Sequence, residues 1–254
     1  GILRAEANHT REFDTNNLDR LDFFIAELKK RGIYVSLTMN VMRKFKEGDG
    51  VRDFKLLGLG KGATYFNSRL VELQHEFTRN LLTHRNPYTG NEYRHEPALV
   101  TIEMVNENSL LEAWNKGRLV GRDDKSGDTW SPIPVSYANE LTELYNAWCW
   151  TNRTPEQVAA IRREAGVADS ALIPRLAPEE FAKASALRFH TETEFLMHVE
   201  SNYFAGMKRL IREAGFEPVE RDTLYRPLGI QEADGPDCCA GPCGATIAST
   251  GEAS

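Results

Sequence analysis

Several absences bound what this 254-residue chain can be. It has no apolar run near the ~18 residues that a membrane-spanning helix requires. It opens with no basic-then-apolar leader, so no signal peptide is expected. It has no surplus of positive charge: 31 Lys and Arg face 37 Asp and Glu, a net charge of −6. Such a chain is a poor general binder of nucleic acid or of anionic lipid, so neither nucleic acid nor membrane is an expected partner. Cysteine is scarce, with four in all, and Cys238, Cys239 and Cys243 crowd together near the end. A structural zinc site needs two separated ligand pairs, so neither a metal nor any other cofactor is expected. Cys149, in an aromatic segment, reads as a small buried apolar side chain. No internal repeat is visible, and no Ser-His-Asp or Cys-His arrangement stands out. Gly58-Leu-Gly60 beside Lys61 lacks the strand–loop–helix context and the Lys-Ser/Thr ending of a phosphate cradle.

What is present is ordinary globular material, 41% hydrophobic and 27% charged, enough to build a core. Leu18, Leu21, Phe24, Ile25 and Leu28 fall on one helical stripe, opened by Asp14 or Thr15 as cap. Lys29, Lys30 and Arg31 suit the negative end of that helix, and Gly32 stops it. A β-rich run, Ile33 to Met39, follows at once. Residues 42–66 form a long glycine-rich loop, expected to wall a site. Asn67 or Ser68 caps a second helix with Leu70, Leu73, Phe77 and Leu81 on its stripe. His75 and His84 lack any partner at metal spacing and read as structural. Ala98 to Val105 then reads as a buried strand.

Helix, strand, helix, strand implies a parallel sheet, hence an α/β fold with its site at the carboxyl ends of the strands. Residues 110–135 are polar and irregular, with Trp114 and Trp130. Helices are expected over 134–150, from Thr154-Pro155 to Gly166, and from Pro178 to Gly215. A third strand is expected near Phe216–Val219. Residues 220–254, rich in Gly, Ala, Ser and Cys, are expected to be disordered or foreign to the fold, leaving 1–219 as the domain.

One carboxylate is singled out by position. Asn-Glu occurs at Asn91-Glu92, Asn106-Glu107 and Asn139-Glu140. The first lies in a turn and the third in a helix; only Asn106-Glu107 closes a strand. A carboxylic acid in a partly desolvated cleft can deliver a proton to a poor leaving group. An adjacent Asn can bind a substrate hydroxyl as oxocarbenium character grows. The plain alternative is a solvated loop carboxylate. Glu103 shares strand parity with Glu107 and is expected to face the interior in a hydrogen-bonded, structural role. Asn40 ends the earlier strand and faces the same mouth, as a substrate contact or a loop cap. Trp114 is a candidate sugar platform, with ordinary packing as its alternative.

Leu18 to Val35, Leu81 to Gly90 and Pro97 to Leu110 together resemble glycoside hydrolases of clan A, near the cellulase-like family 5. Residues 10–115 carry most of the likeness; Ser201 to Arg212 resembles the helix before strand five. The resemblance implies a partial (β/α)8 (TIM) barrel, roughly strands three to five with their helices. It also implies a helical insertion at about 116–190, after strand four. It implies Glu107 as acid/base, Asn106 as its substrate-binding neighbour, and a carbohydrate as partner. In that family the nucleophile is a second Glu at the end of strand seven, and strands one and two would precede residue 1. No strand-end Glu follows residue 217. The expectation is therefore a fragment of a retaining glycosidase, inactive alone. The competing reading is a sugar-binding pseudoenzyme that keeps the cleft without the nucleophile.

Overall fold

In the computed structural model, which describes residues 1–122 and 131–217, the chain is mixed helix and strand around a two-stranded parallel sheet. Helix α1, Thr15–Lys30, starts where expected because the Asp14 carboxylate accepts the Asn17 amide at 2.8 Å. Gly32 takes a left-handed φ of +69° just past its end. Strand β1 is Val35–Thr38. Helix α2 is a single turn, Phe54–Leu57, and α3 runs Ser68–Leu82 with Asn67 accepting the Leu70 amide as cap. Strand β2 is Leu99–Glu103.

Both strands are shorter than their β-rich runs. Ile33 and Tyr34 precede the ladder and are exposed, while Met104 and Val105 run past it. The register pairs Ser36 with Thr101, Leu37 with Ile102 and Thr38 with Glu103. Side chains alternate across the sheet. One face therefore carries Leu37 and Ile102, packed on the cluster of Leu18, Ile25, Leu81, Tyr93, Ile211 and Phe216. The other carries Ser36, Thr38, Thr101 and Glu103. Glu103 is exposed rather than interior, though its carboxylate does accept the Thr38 hydroxyl at 2.6 Å. The expected third strand is not formed by Phe216 and Glu217: Phe216 is buried in the sheet-side core, and its amide donates back to the Ile211 carbonyl at 3.2 Å. Val219 lies outside the described residues, as does the whole of 220–254.

The loop over 42–66 is a packed layer. Phe45, Val51, Leu57, Ala63 and Tyr65 are buried in a second, larger core with the remaining helices. Asp49 and Arg43 tie it to the N-terminal segment through Thr10. The irregular stretch after β2 contains helix α4, Leu110–Asn115. Helices α5, Val135–Asn152, and α6, Pro155–Ala165, follow. Helix α6 keeps the expected Thr154 cap, Pro155 and left-handed Gly166. The helix expected from Pro178 instead begins at Ala186, after a single 3-10 turn at Pro178–Glu180, because Ser185 supplies its cap. This helix, α7, spans Ala186–Glu213. Its early residues Phe195, Leu196 and Tyr203 fill the helical core, and Ile211 closes the sheet core, so one rod joins the two. Cys149 is buried, and burial pushes its thiol up to about 11. Trp148 packs on Phe195, whereas Trp150 is 61% exposed.

Candidate functional site at the end of the second strand

Beyond Glu103 the chain leaves the ladder but not its neighbour. Met39 N donates to the Glu103 carbonyl at 2.8 Å and Asn106 N to the Asn40 carbonyl at 3.0 Å. The next residue, Glu107, has a φ of +46°, in the left-handed region. For a residue with a side chain this conformation costs roughly 1–2 kcal/mol. Asp53 is the only other such non-glycine residue among those described.

Five bonds fix the turn. Besides the Asn40 carbonyl, Lys61 Nζ donates to the Asn106 carbonyl at 2.8 Å. Tyr65 Oη donates to the Asn108 carbonyl at 2.7 Å. From α7, Glu200 Oε2 accepts both Ser109 Oγ and the Leu110 amide, each at 3.2 Å, so it caps α4 across the core. Burial, and then the Glu200 carboxylate, push the Tyr65 phenol far up, which keeps it a donor. Burial likewise raises the Glu200 carboxyl, against the two hydrogen bonds that favour its charged form.

The three Asn-Glu pairs have different fates. Glu92 accepts Arg94 Nε at 2.6 Å, and Glu140 accepts Arg52 at 2.8 Å and Asn67 Nδ2 at 2.9 Å. Glu107 is exposed, and among the described residues its carboxylate makes no hydrogen bond or ion pair. Its neighbour Asn108 has a buried Nδ2 with no partner. Asn108 lines a small concavity with Gly60, Lys61, Gly62, Arg118 and Ile133.

The structure places the other candidates unequally. Asn106 stands half-buried in the turn itself. Asn40 does reach the turn, but it is 4% exposed and supports Asn106 through its backbone carbonyl instead of lining a cleft. Trp114 is buried and offers no open ring face. It is 4% exposed, its Nε1 donates to the Leu176 carbonyl at 2.8 Å, and it packs on Phe181 and Phe189. Trp130 and the three clustered cysteines lie outside the described residues. His84 is structural: its Nε2 lies 2.8 Å from the buried Asp22 carboxylate. His75, half-buried on α3, has its pKa lowered by burial and then by Arg79. Among the described residues no group of three or more His, Cys, Asp or Glu is placed to hold a metal ion, and no helix is long and apolar enough to cross a membrane.

Sequence reasoning missed Lys61, Tyr65, Asn108 and Glu200. Lys61 had drawn notice only as the end of a weak glycine motif. Tyr65 and Glu200 carry no local signal, because their role exists only where α7 crosses the strand end.

No family model matches the sequence, and no curated protein matches it. Among solved structures, the X-ray structure of the endo-β-1,4-mannanase from Thermotoga petrophila is similar at 21% identity and a TM-score of 0.30. The similarity covers 49% of this chain and 34% of that one. The matched region thus spans about a third of that enzyme.

Proposed function

We propose that this chain carries the acid/base half of a glycoside hydrolase site, with Glu107 as the proton donor and Asn106 beside it binding a sugar hydroxyl. The observation that supports this reading most is the contrast among the three Asn-Glu pairs. Two carboxylates are locked in ion pairs. The third is unpaired among the described residues, at the carboxyl end of a parallel strand, on strained backbone. Strain of this kind persists where surrounding structure over-determines it, and it collects at functional sites. Two parallel strands joined through a helix are also what part of a (β/α)8 barrel would contain, with the helices after α4 as an insertion.

The chemistry follows from the acid. A protonated Glu107 gives its proton to the glycosidic oxygen as the bond to the anomeric carbon breaks, and then as a carboxylate activates water. A retaining reaction needs a second carboxyl about 5–5.5 Å away as nucleophile. This reading assigns no such second carboxyl to the site, and it therefore expects the chain to bind sugar without turning it over.

Binding tests this without requiring turnover. The chain is titrated with neutral β-1,4-linked gluco- and manno-oligosaccharides and with a protonated, sugar-shaped iminosugar. Glu107→Gln keeps the neutral sugars within about twofold, because the amide preserves shape. It loses the cationic ligand by tenfold or more, because the carboxylate is gone. Asn106→Ala weakens both. Equal iminosugar affinity in wild type and Glu107→Gln rejects the acid/base role and leaves at most a sugar-binding module. Measurable hydrolysis of an aryl β-glycoside by the chain overturns the missing-nucleophile expectation.

A further inference from the structure

The bonds around Glu107 come from three distant parts of the chain and end on its neighbours, never on its side chain. Lys61 holds the carbonyl before it, Tyr65 the carbonyl after it, and Glu200 the hydroxyl and amide that follow. Tyr65 is itself set by α7: its ring packs edge-on against Tyr203 at 4.9 Å and Phe204 at 5.9 Å. Lys61 and Tyr65 are 8% and 4% exposed and Glu200 is 7% exposed, so none of these groups is free to choose another geometry in solvent. A buried carboxylate is a costly way to cap a six-residue helix. A plain Ser or Asp cap at position 109 would serve α4 locally. Ser109 has its hydroxyl on Glu200 instead and makes no side-chain cap of its own.

We propose that Lys61, Tyr65 and Glu200 are positioning residues: together they clamp the Asn106–Ser109 turn, force Glu107 into the left-handed region and hold its carboxylate clear of the protein. The functional half of this rests on the glycosidase reading; the conformational half does not. The buttress from α7 gives the long helical segment after α4 a part in the site that it nowhere touches through substrate.

The test is a cycle at position 107. In the wild-type background Glu107→Gly folds more favourably than Glu107→Ala by about fivefold in equilibrium constant, because glycine meets no penalty at φ +46° and alanine does. In the Tyr65→Phe background the ring and its packing remain and only the bond to Asn108 is lost. The released turn then relaxes, and the glycine advantage falls to about twofold or less. Glu200→Leu has the same effect. Glu200→Gln, which keeps an acceptor oxygen for Ser109 and Leu110, restores the fivefold ratio. A role in bulk stability alone lowers all variants together and leaves the ratio unchanged, and that result overturns the clamp. Iminosugar affinity supplies the second readout: Tyr65→Phe lowers it several-fold while neutral oligosaccharides bind as before. If Glu107→Gln leaves iminosugar binding unchanged, the glycosidase reading fails, and the glycine-to-alanine ratio still decides the clamp.

Discussion

Two polar clusters flank the small sheet, and they are built on opposite terms. Around Asp22, on α1, every group is answered. Its carboxylate takes Tyr93 Oη at 2.7 Å and faces His84 Nε2 at 2.8 Å, and its carbonyl takes Asn86 Nδ2 at 2.9 Å. The cluster is deeply buried, with Asp22, Tyr93 and Asn86 at 2%, 0% and 0% exposed. Around Glu107 the backbone is clamped, but the side chains are left open: a carboxylate and an Asn108 Nδ2 without partners among the described residues, and a left-handed residue that is not glycine. The first cluster joins α1 to the segment before β2 and serves cohesion. The second spends stability to keep groups available, as sites do when local rules and global need conflict.

Removing Asp22 should therefore produce the largest effect. Asp22→Ala strands the buried Tyr93 hydroxyl and the half-buried His84 and is expected to lower stability by about 4 kcal/mol, read as a fall in the urea midpoint. It should do so without changing iminosugar affinity in whatever fraction remains folded. A loss near that of a surface residue would erase the distinction between the clusters.

A half-satisfied group in the helical core extends the contrast to a third place. Glu192, on α7 and fully buried, accepts the Leu176 amide at 2.6 Å, while its Oε1 has no hydrogen-bond partner and Arg175 Nη1 stands 3.8 Å away. Burial pushes its carboxyl up from 4.5 to about 7, against pulls from the Leu176 amide, Arg175 and Arg188. The folded chain thus binds a proton that the unfolded chain releases. The contribution to stability is full below pH 4.5, declines above it and is gone above about pH 7. It amounts to at most about 3 kcal/mol. Unfolding curves from pH 4 to 8 should show this decline, and Glu192→Gln should flatten it. A decline unchanged by the substitution assigns it to another group.

Trp114 discriminates cohesion from binding within a few residues of the turn. Trp114→Phe keeps an aromatic ring but loses the bond to Leu176 and part of the volume packed on Phe181 and Phe189. The expected cost is about 2 kcal/mol in stability, with oligosaccharide affinity within twofold of wild type. Weaker sugar binding with stability intact would restore it as a platform.

Much of the fold was legible because its signals are local. The Asp14 and Asn67 caps, the Thr154-Pro155 start and the left-handed Gly32 and Gly166 all lie beside the helices they bound. Strand ends were not legible. Ile33, Tyr34, Met104 and Val105 have the composition of strand, but pairing needs a partner, and β1 and β2 offer one over four or five residues only. For Trp114 the sequence left platform and packing both open for a similar reason: its Nε1 partner lies 62 residues on, at Leu176. Glu107 could be picked out because a strand's end is a sequence-level position. The residues that hold it could not, since Glu200 reaches Ser109 across 91 residues.

The smallest expected effect is the most direct test, because its sign is the opposite of the others. In one urea titration of Glu107→Gly, a turn strained for the sake of its side chain predicts a gain of about 1 kcal/mol, since glycine relieves the left-handed backbone. A loss of stability instead would mean that Glu107 contributes to cohesion as Asp22 does, and it would contradict the reading of this turn as a site.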